Sequence, residues 1–373
     1  MNNSIKKLNE WVKYLSCRYV EREEVIKAIY LSIIAKQHCL LVGPPGTGKS
    51  ALTMDVAKSI QGMNYFQWLL GRFTTPEEIF GPVSLSELEK GIYKRNTEHK
   101  MPVSHIAFLD EIFKANSAIL NALLTLINER LFYNNGVPVK TPLISVIGAS
   151  NEYPEEGEGE GLEALFDRFL LRFEVDYIGE DASFISMLQG TQAKNPTEYL
   201  TLDDIDDLQM YCDMTNITPD VYETLKQIRT ELKDEGIRPS DRRFRQSLSL
   251  LKAKAVMDGR STVVIEDILI LTDGLWETID QKTKVQEIVT KYAQDFVKTR
   301  ILEIEAEAKE IYEKVKKEQS PEISLEGTQK MKSLLKDLSQ LSSHHPDREG
   351  DIQVVRNKIE TCQKQIATLM LGI

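Results

Sequence analysis

An α/β fold with a parallel sheet, followed by helices alone, is what this chain of 373 residues predicts. Three observations carry the prediction. Residues 43–50 read Gly-Pro-Pro-Gly-Thr-Gly-Lys-Ser, between a short apolar run (38–42) and a segment of helical spacing (51–57). A second apolar run, 106–109, ends in Asp110-Glu111. A third, 143–149, runs into Ser150-Asn151-Glu152. Continuous apolar runs of this length suit strands buried on both faces, and the carboxyl ends of such strands form the ligand-binding edge of the sheet.

The remaining elements follow in order. Residues 1–37 have helical spacing, with Leu8, Trp11, Val12 and Leu15 on one apolar face and Val25, Ile26, Ile29 and Ile33 on the next. Strands and helices then alternate to residue 178, including a strong helical segment over 117–130, and alternation of this kind implies crossover connections. Residues 153–161 form a glycine and glutamate loop, read as solvated. From 179 to 275 the chain reads as all helical, in five segments: 181–188, 202–212, 219–233, 242–257 and 265–275. Glu266 and Asp267 in the opening turn of the last suit the helix dipole. Residues 276–373 differ: Ile301, Ile304, Ala308, Ile311 and Val315 repeat at heptad spacing. Two more apolar series follow, Met331 to Leu341 and Ile352 to Ile366, after polar breaks at 319–321 and 342–351. The breaks permit folding back, so a small helical bundle or hairpin is expected. The predicted division is therefore 1–178, 179–275 and 276–373.

The residue types at the strand ends specify chemistry. The pattern GxxxxGK[ST] needs strand, loop and helix in that order, and has them here. Gly43, Gly46 and Gly48 let the backbone curl so that its N–H groups face a polyphosphate, with the helix dipole behind them. Pro44, Pro45, Thr47 and Ala51 complete the contacting stretch. Lys49 is expected to reach the β- and γ-phosphates and Ser50 to ligate Mg²⁺. Asp110 is expected to hold Mg²⁺ through water, and Glu111 to orient and deprotonate an attacking water. Asn151 is read as touching the γ-phosphate or that water. A chance glycine turn or ordinary strand-end turns would explain each feature singly, but not three on one face. ATP with Mg²⁺ is the expected ligand. A guanine-reading NKxD pattern is missing, since Asn357-Lys358-Ile359-Glu360 has the wrong last residue.

Composition narrows the class. The net charge is −11, which argues against duplex binding, although Lys90, Lys94, Arg95, His99 and Lys100 form a local basic stretch. No signal sequence and no apolar run of membrane-spanning length is present, so a cytoplasmic protein is expected. Cys17, Cys39, Cys212 and Cys362 lie far apart and read as reduced thiols or small hydrophobes. His344-His345 sits in a polar linker and is not expected to bind metal.

Several blocks together resemble the AAA+ ATPases, and within them the MoxR group and its RavA branch. They are 41–50, 73–82 (Phe-Thr-Thr-Pro-Glu-Glu-Ile-Phe-Gly-Pro), 108–115, 120–130, 149–152, 162–169 and 240–243 (Ser-Asp-Arg-Arg). Their order and spacing are more specific than any one motif and cover roughly residues 20–275. The resemblance implies an AAA+ P-loop core over 1–178, an α-helical lid over 179–275 and a C-terminal helical extension from 276. It implies that Arg168, or failing it Arg172, is an arginine finger reaching a neighbouring subunit's site. It implies that Arg242, or the adjacent Arg243, is the lid arginine called sensor 2. Tyr19 and Val20 stand in the segment that lines the adenine pocket in relatives, where many have Gly in place of Glu21. The basic stretch corresponds to an inserted hairpin-like element. A site completed in trans requires assembly, so a homo-oligomeric ring, hexameric in the family, is expected. The implied activity is ATP-driven remodelling of a protein partner, with a von Willebrand factor A domain protein as the first expected adaptor. A nucleic-acid motor or defence-system ATPase is the alternative. RavA relatives carry a β-rich module after their helical element. No strand-like repeats follow here, so that module's partner is not expected.

Overall fold

The computed structural model describes residues 2–154, 161–190, 193–293, 296–318, 321–344 and 349–371. The chain separates into two compact units, 1–293 and 294–373.

In the first unit, α1 (Asn2–Arg18) and α2 (Glu23–Ile34) lead into β1 (Cys39–Val42). Helix α2 is buried almost all round, which fits its run of Ile, Leu and Tyr. Helix α3 (Lys49–Lys58) and the short β2 (Ile60–Gln61) precede β3 (Tyr65–Leu69); α4 (Pro76–Phe80) and α5 (Leu85–Leu88) precede β4 (Ile106–Asp110). Helix α6 (Ser117–Glu129) is capped by Asn116, whose Oδ1 accepts from Ile119 N at 3.1 Å. An antiparallel hairpin, β5 (Leu131–Asn134) and β6 (Val137–Lys140), separates α6 from β7 (Ser145–Ser150). Helix α7 (Leu162–Arg168) and β8 (Leu171–Glu174) complete this part.

The five long strands form one parallel sheet in the order β3-β4-β7-β1-β8. Its three inner strands are the three apolar runs of the sequence. Cys39 of β1 pairs with Ile147 on one side and Leu171 on the other, so β1 lies between β7 and β8. The third strand begins at Ser145 rather than at 143, because Ile144 N is taken by the His105 carbonyl at 2.7 Å. The acids at 155–160 in the predicted solvated loop lie outside the described residues.

Three cations of the basic stretch are engaged within the chain. Arg95 pairs with Glu77 at 2.9 Å and donates to the Gly81 carbonyl, Lys90 pairs with Glu87, and Lys100 donates to the Glu78 carbonyl. The segment is short helices and a bridge between Val83 and Arg95, and the two-stranded hairpin is β5–β6 instead. Asn134 ties them together, accepting from Arg95 N at 2.8 Å and donating to Arg95 O at 3.1 Å.

The helical part holds α8 (Asp181–Gln189), β9 (Leu200–Thr201), α9 (Leu202–Met214), β10 (Asn216–Ile217), α10 (Pro219–Asp234), α11 (Asp241–Met257) and β11 (Thr262–Val263). The segment expected as a helix over 265–275 is a 3₁₀ run, Ile265–Asp273. Its start is pinned by Asp267, which accepts from Val264 N at 2.9 Å and is gripped by both terminal nitrogens of Arg260 at 2.6 and 2.8 Å. Helix α12 (Lys282–Ala293) follows. Trp276, Val285, Ile288, Val289 and Ala293 are buried in the first unit's core, so that unit runs past the expected boundary at 275 to Ala293. Helix α12 is as amphipathic as the helices beyond it, and the sequence alone offers no mark to separate them.

The second unit is a three-helix bundle of α13 (Phe296–Glu318), α14 (Pro321–His344) and α15 (Glu349–Leu371). Ile301, Ile304, Ala308 and Val315 bury their side chains with Met331, Leu334, Leu338, Ile352, Val355 and Ile359. Gly327 permits the close approach of α14 to α13, since a Cβ there would lie 2.7 Å from a Val315 methyl.

Candidate active site

The loop between β1 and α3 is shaped by its glycines. Gly46 and Gly48 are left-handed, at φ +82° and +85°. A Cβ on Gly43 would collide with the Val175 carbonyl, so only glycine lets the loop leave the sheet beside β8. Gly43 N donates to Ser150 O at 3.0 Å, which ties the loop to the strand bearing Asn151. Lys49 is 8% exposed. Its Nζ lies on the loop's own oxygens, donating to Gly43 O at 2.6 Å, Pro44 O at 2.9 Å and Thr47 Oγ1 at 3.3 Å. Burial lowers the Lys49 ammonium, and Asp110 and Glu111 act against that shift. Ser50 and Ala51 follow in the first turn of α3.

Asp110 ends β4, where burial raises its carboxyl, and its Oδ1 accepts from Glu111 N at 3.1 Å. Glu111 is left-handed at φ +51°, an uncommon conformation for a non-glycine residue that turns its side chain away from the strand line. Its Oε1 accepts from Asn151 Nδ2 at 2.5 Å and its Oε2 pairs with Lys114 Nζ at 3.1 Å. The structure thus brings Lys49, Asp110, Glu111 and Asn151 to one edge. Lys114 was missed in the sequence, although its spacing three residues past Glu111 was a usable signal. Beside them lies a cleft of about 920 Å³ lined by Arg72, Glu111, Lys114, Asn121 and Glu152, among others, and by none of residues 43–50.

The donor set fits a magnesium nucleotide. Nothing lies within 4 Å of a Cβ built on Gly46, so the loop's backbone is open on that side. The Lys49 ammonium is held by neutral oxygens that a polyphosphate can replace. Mg²⁺ takes few protein oxygens and retains water and phosphate ligands. Ser50 and Asp110 supply such oxygens. Among the described residues no group of three or more His, Cys, Asp or Glu could hold a metal ion by itself.

Tyr19 donates to Asp55 Oδ2 of α3 at 2.7 Å, which fixes the Tyr19-Val20 segment against the phosphate loop's helix. Glu21, left-handed at φ +59°, accepts from Gly179 N at 2.9 Å and Glu180 N at 3.1 Å, and these bonds hold its carboxyl below the usual range. Here the glutamate is a clamp on the start of the helical part, a role with no local signal in the sequence.

The arginines divide sharply. Arg168 closes α7 half-buried, and its Nε has no hydrogen-bond partner among the described residues. Arg172, the fallback finger, is 1% exposed and spends its guanidinium inside its own subunit, on the carbonyls of Phe166, Phe169 and Trp276. That removes it from the role. Arg242 is exposed in the first turn of α11. Arg243, its alternative, is buried on the Phe169 carbonyl at 3.1 Å and is likewise not free to meet a ligand.

Comparison with known proteins agrees with this architecture. The chain is 38% identical over 299 residues to an uncharacterized protein of Methanocaldococcus jannaschii, covering 79% of this chain and 77% of the other. It is 26% identical over 160 residues to the chaperone MoxR1 of Mycobacterium tuberculosis, covering 42% of this chain and 41% of that one. A crystal structure from Cytophaga hutchinsonii, described as that of a candidate ATPase, superposes with a TM-score of 0.63 at 18% identity, covering 78% of this chain and 94% of the other. That likeness establishes the AAA+ fold. Among the described residues no helix is long and apolar enough to cross a membrane. Residues 220–289 match the AAA lid domain and residues 6–210 match the MoxR domain of the MoxR-vWA-beta-propeller ternary systems, and the chain belongs to that MoxR family of AAA+ proteins.

Proposed function

We propose that the protein is an ATPase that assembles as a ring and remodels a protein partner. The observation that carries the reading is the convergence of Lys49, Asp110, Glu111 and Asn151 on one strand edge, with Asn151 2.5 Å from Glu111. In this reading Lys49 and the loop N–H groups of 43–50 hold the phosphates. Ser50 and Asp110 would hold Mg²⁺, which supplies charge neutralisation at the phosphates. Glu111 takes the proton of the attacking water, and Asn151 keeps the Glu111 carboxylate and the water in line. Tyr19 and Val20 border the base, and Arg242 contacts the terminal phosphate from the lid.

Arg168 completes a neighbouring subunit's site. The likeness of residues 162–169 to the segment that bears the finger in the family supports this. A hexameric ring is the assembly we favour. A von Willebrand factor A domain protein is the adaptor we favour, because the matched family takes its name from systems that pair MoxR with vWA and β-propeller proteins. Remodelling rather than nucleic-acid motion is supported by the net charge of −11 and by the match to the MoxR domain. The finer placement on a RavA-like branch rests on the sequence blocks.

The test is complementation. Lys49→Ala and Arg168→Ala should each lose most ATP turnover, the second on the order of 10³-fold while still binding ATP. Mixed, they should recover activity, because an intact loop from one chain meets an intact finger from the other. Full turnover by either variant alone, or no recovery once mixed rings are seen by native mass spectrometry, defeats the reading.

A further inference from the structure

The carboxyl end of α7, the helix that carries Arg168, is held in an unusual way. A helix leaves its last carbonyls unpaired, and glycine caps or water usually satisfy them. Here two buried guanidiniums do so. Arg172 donates from Nη2 to Phe166 O at 3.0 Å and from Nε to Phe169 O at 3.1 Å, and its guanidinium lies 3.7 Å over the Phe166 ring. Arg243 donates to the same Phe169 O from Nη2 at 3.1 Å. Both arginines are 1% exposed; burial lowers the Arg172 guanidinium well below its ordinary value, and the like charge of Arg243 adds to that shift. Asp167, with its carboxylate 3.9 Å from Arg243 Nε, is the acidic group nearest the pair. Two adjacent buried cations are an expensive way to cap one short helix. Their placement has a consequence that a glycine would not have. Arg172 stands on β8 and also donates to the Trp276 carbonyl, whereas Arg243 stands in the first turn of α11, next to Arg242.

We infer that Arg243 is a positioning residue that couples the lid to the finger: it fixes the end of α7 to the turn of α11 that bears Arg242, so that a lid displaced at one subunit's nucleotide moves that subunit's Arg168 in its neighbour's site. The inference rests on the trans-site reading above. The physical link is continuous: Arg242 and Arg243 share a helical turn, Arg243 bonds Phe169 O, and Phe169 N in turn donates to Phe166 O at 3.2 Å across the turn containing Arg168. A helix end bonded in this way cannot stay still while its anchor shifts.

Mixed rings separate this coupling from packing. In the pair Glu111→Gln with Arg168→Ala, the first chain keeps bound ATP and donates the only finger, and the second supplies the only site that turns ATP over. Arg243→Gln is added to one chain or to the other. On the finger-donating chain it should lower the recovered turnover about tenfold. On the site-supplying chain, whose finger is already missing, it can act only through Arg242 at that chain's own phosphate, and the loss should be clearly smaller. Loss greater on the site-supplying chain would mean that Arg243 serves its own site, and equal loss from both sides would mean packing alone; either overturns the coupling. If Arg243→Gln chains do not enter rings, Arg243→Lys, which keeps a charge and a donor, is placed in the same two positions. It should show the same larger loss on the finger-donating chain in weaker form, and a symmetric or absent effect overturns the inference. Failure of the parental pair to recover activity condemns the trans-site reading itself, whereas recovery insensitive to the finger-donating chain condemns only the coupling.

Discussion

Asn151 donates its Nδ2 hydrogen to Glu111 Oε1 at 2.5 Å while Lys114 holds Oε2 at 3.1 Å, so the carboxylate is fixed at both oxygens across two neighbouring strands. The left-handed backbone at Glu111 is part of the same arrangement, because it sets the side chain between β7 and the short turn Ile112–Lys114. A strained residue held by its surroundings at a sheet's binding edge is where function is expected to be found.

Glu111→Gln preserves the shape of this arrangement and removes the base. An amide oxygen can still accept from Asn151, but the amide nitrogen loses the pair with Lys114 and the group accepts no proton from water. The variant should bind ATP near the parental affinity and hydrolyse it about 10²- to 10⁴-fold more slowly. Equilibrium binding of a fluorescent ATP analogue and steady-state phosphate release measure the two quantities. Loss of binding together with turnover would show that Glu111 shapes the site and does not act as its base.

Asp273 gives a pH test of the helical part. Burial raises its carboxyl to about 6, with Lys282 opposing the shift. A carboxyl raised in the folded state favours folding in its protonated form. Its contribution is complete below the ordinary carboxylate range and is lost as pH rises through about 6. Asp273→Asn cannot ionise. The stability difference between variant and parent should therefore move in the variant's favour from pH 4 to pH 7, by on the order of 2 kcal/mol. Thermal melts of both proteins across that interval decide it, and a pH-independent difference would show that Asp273 titrates normally.

What the sequence made legible was whatever is local. The loop at 43–50, the acidic end of β4 and the asparagine after β7 each announce themselves within a few residues, and their parallel strands bring them together. The arginines were not legible in this way. Arg168 and Arg172 are four residues apart, and Arg242 and Arg243 are neighbours, so spacing could not say which member of each pair is buried. That is settled by the carbonyls of Phe166, Phe169 and Trp276, which meet only in the folded chain. The same holds for Glu21, whose partners lie more than 150 residues away.

The boundary after Ala293 gives the last prediction. A chain of residues 1–275 lacks Trp276 and all of α12. It loses the burial of Trp276, Val285, Ile288 and Val289, each worth about 1.5–3 kcal/mol when fully buried. It also strips from Arg172 the carbonyl of Trp276 and one aromatic face, leaving a buried guanidinium under-satisfied. The sum is comparable with the whole stability of a domain, about 5–15 kcal/mol. This chain should be insoluble or melt without cooperativity. A chain of residues 1–293 keeps every one of those groups, together with the bonds of Lys291 and Tyr292 to Glu231. It should fold, melt cooperatively and hydrolyse ATP near the full-length rate, because each phosphate-facing residue lies within it. Circular dichroism melts and phosphate release on the two truncations are the measurement. A cooperative, active 1–275 chain would show that α12 is an appendage of the first unit and not part of its core.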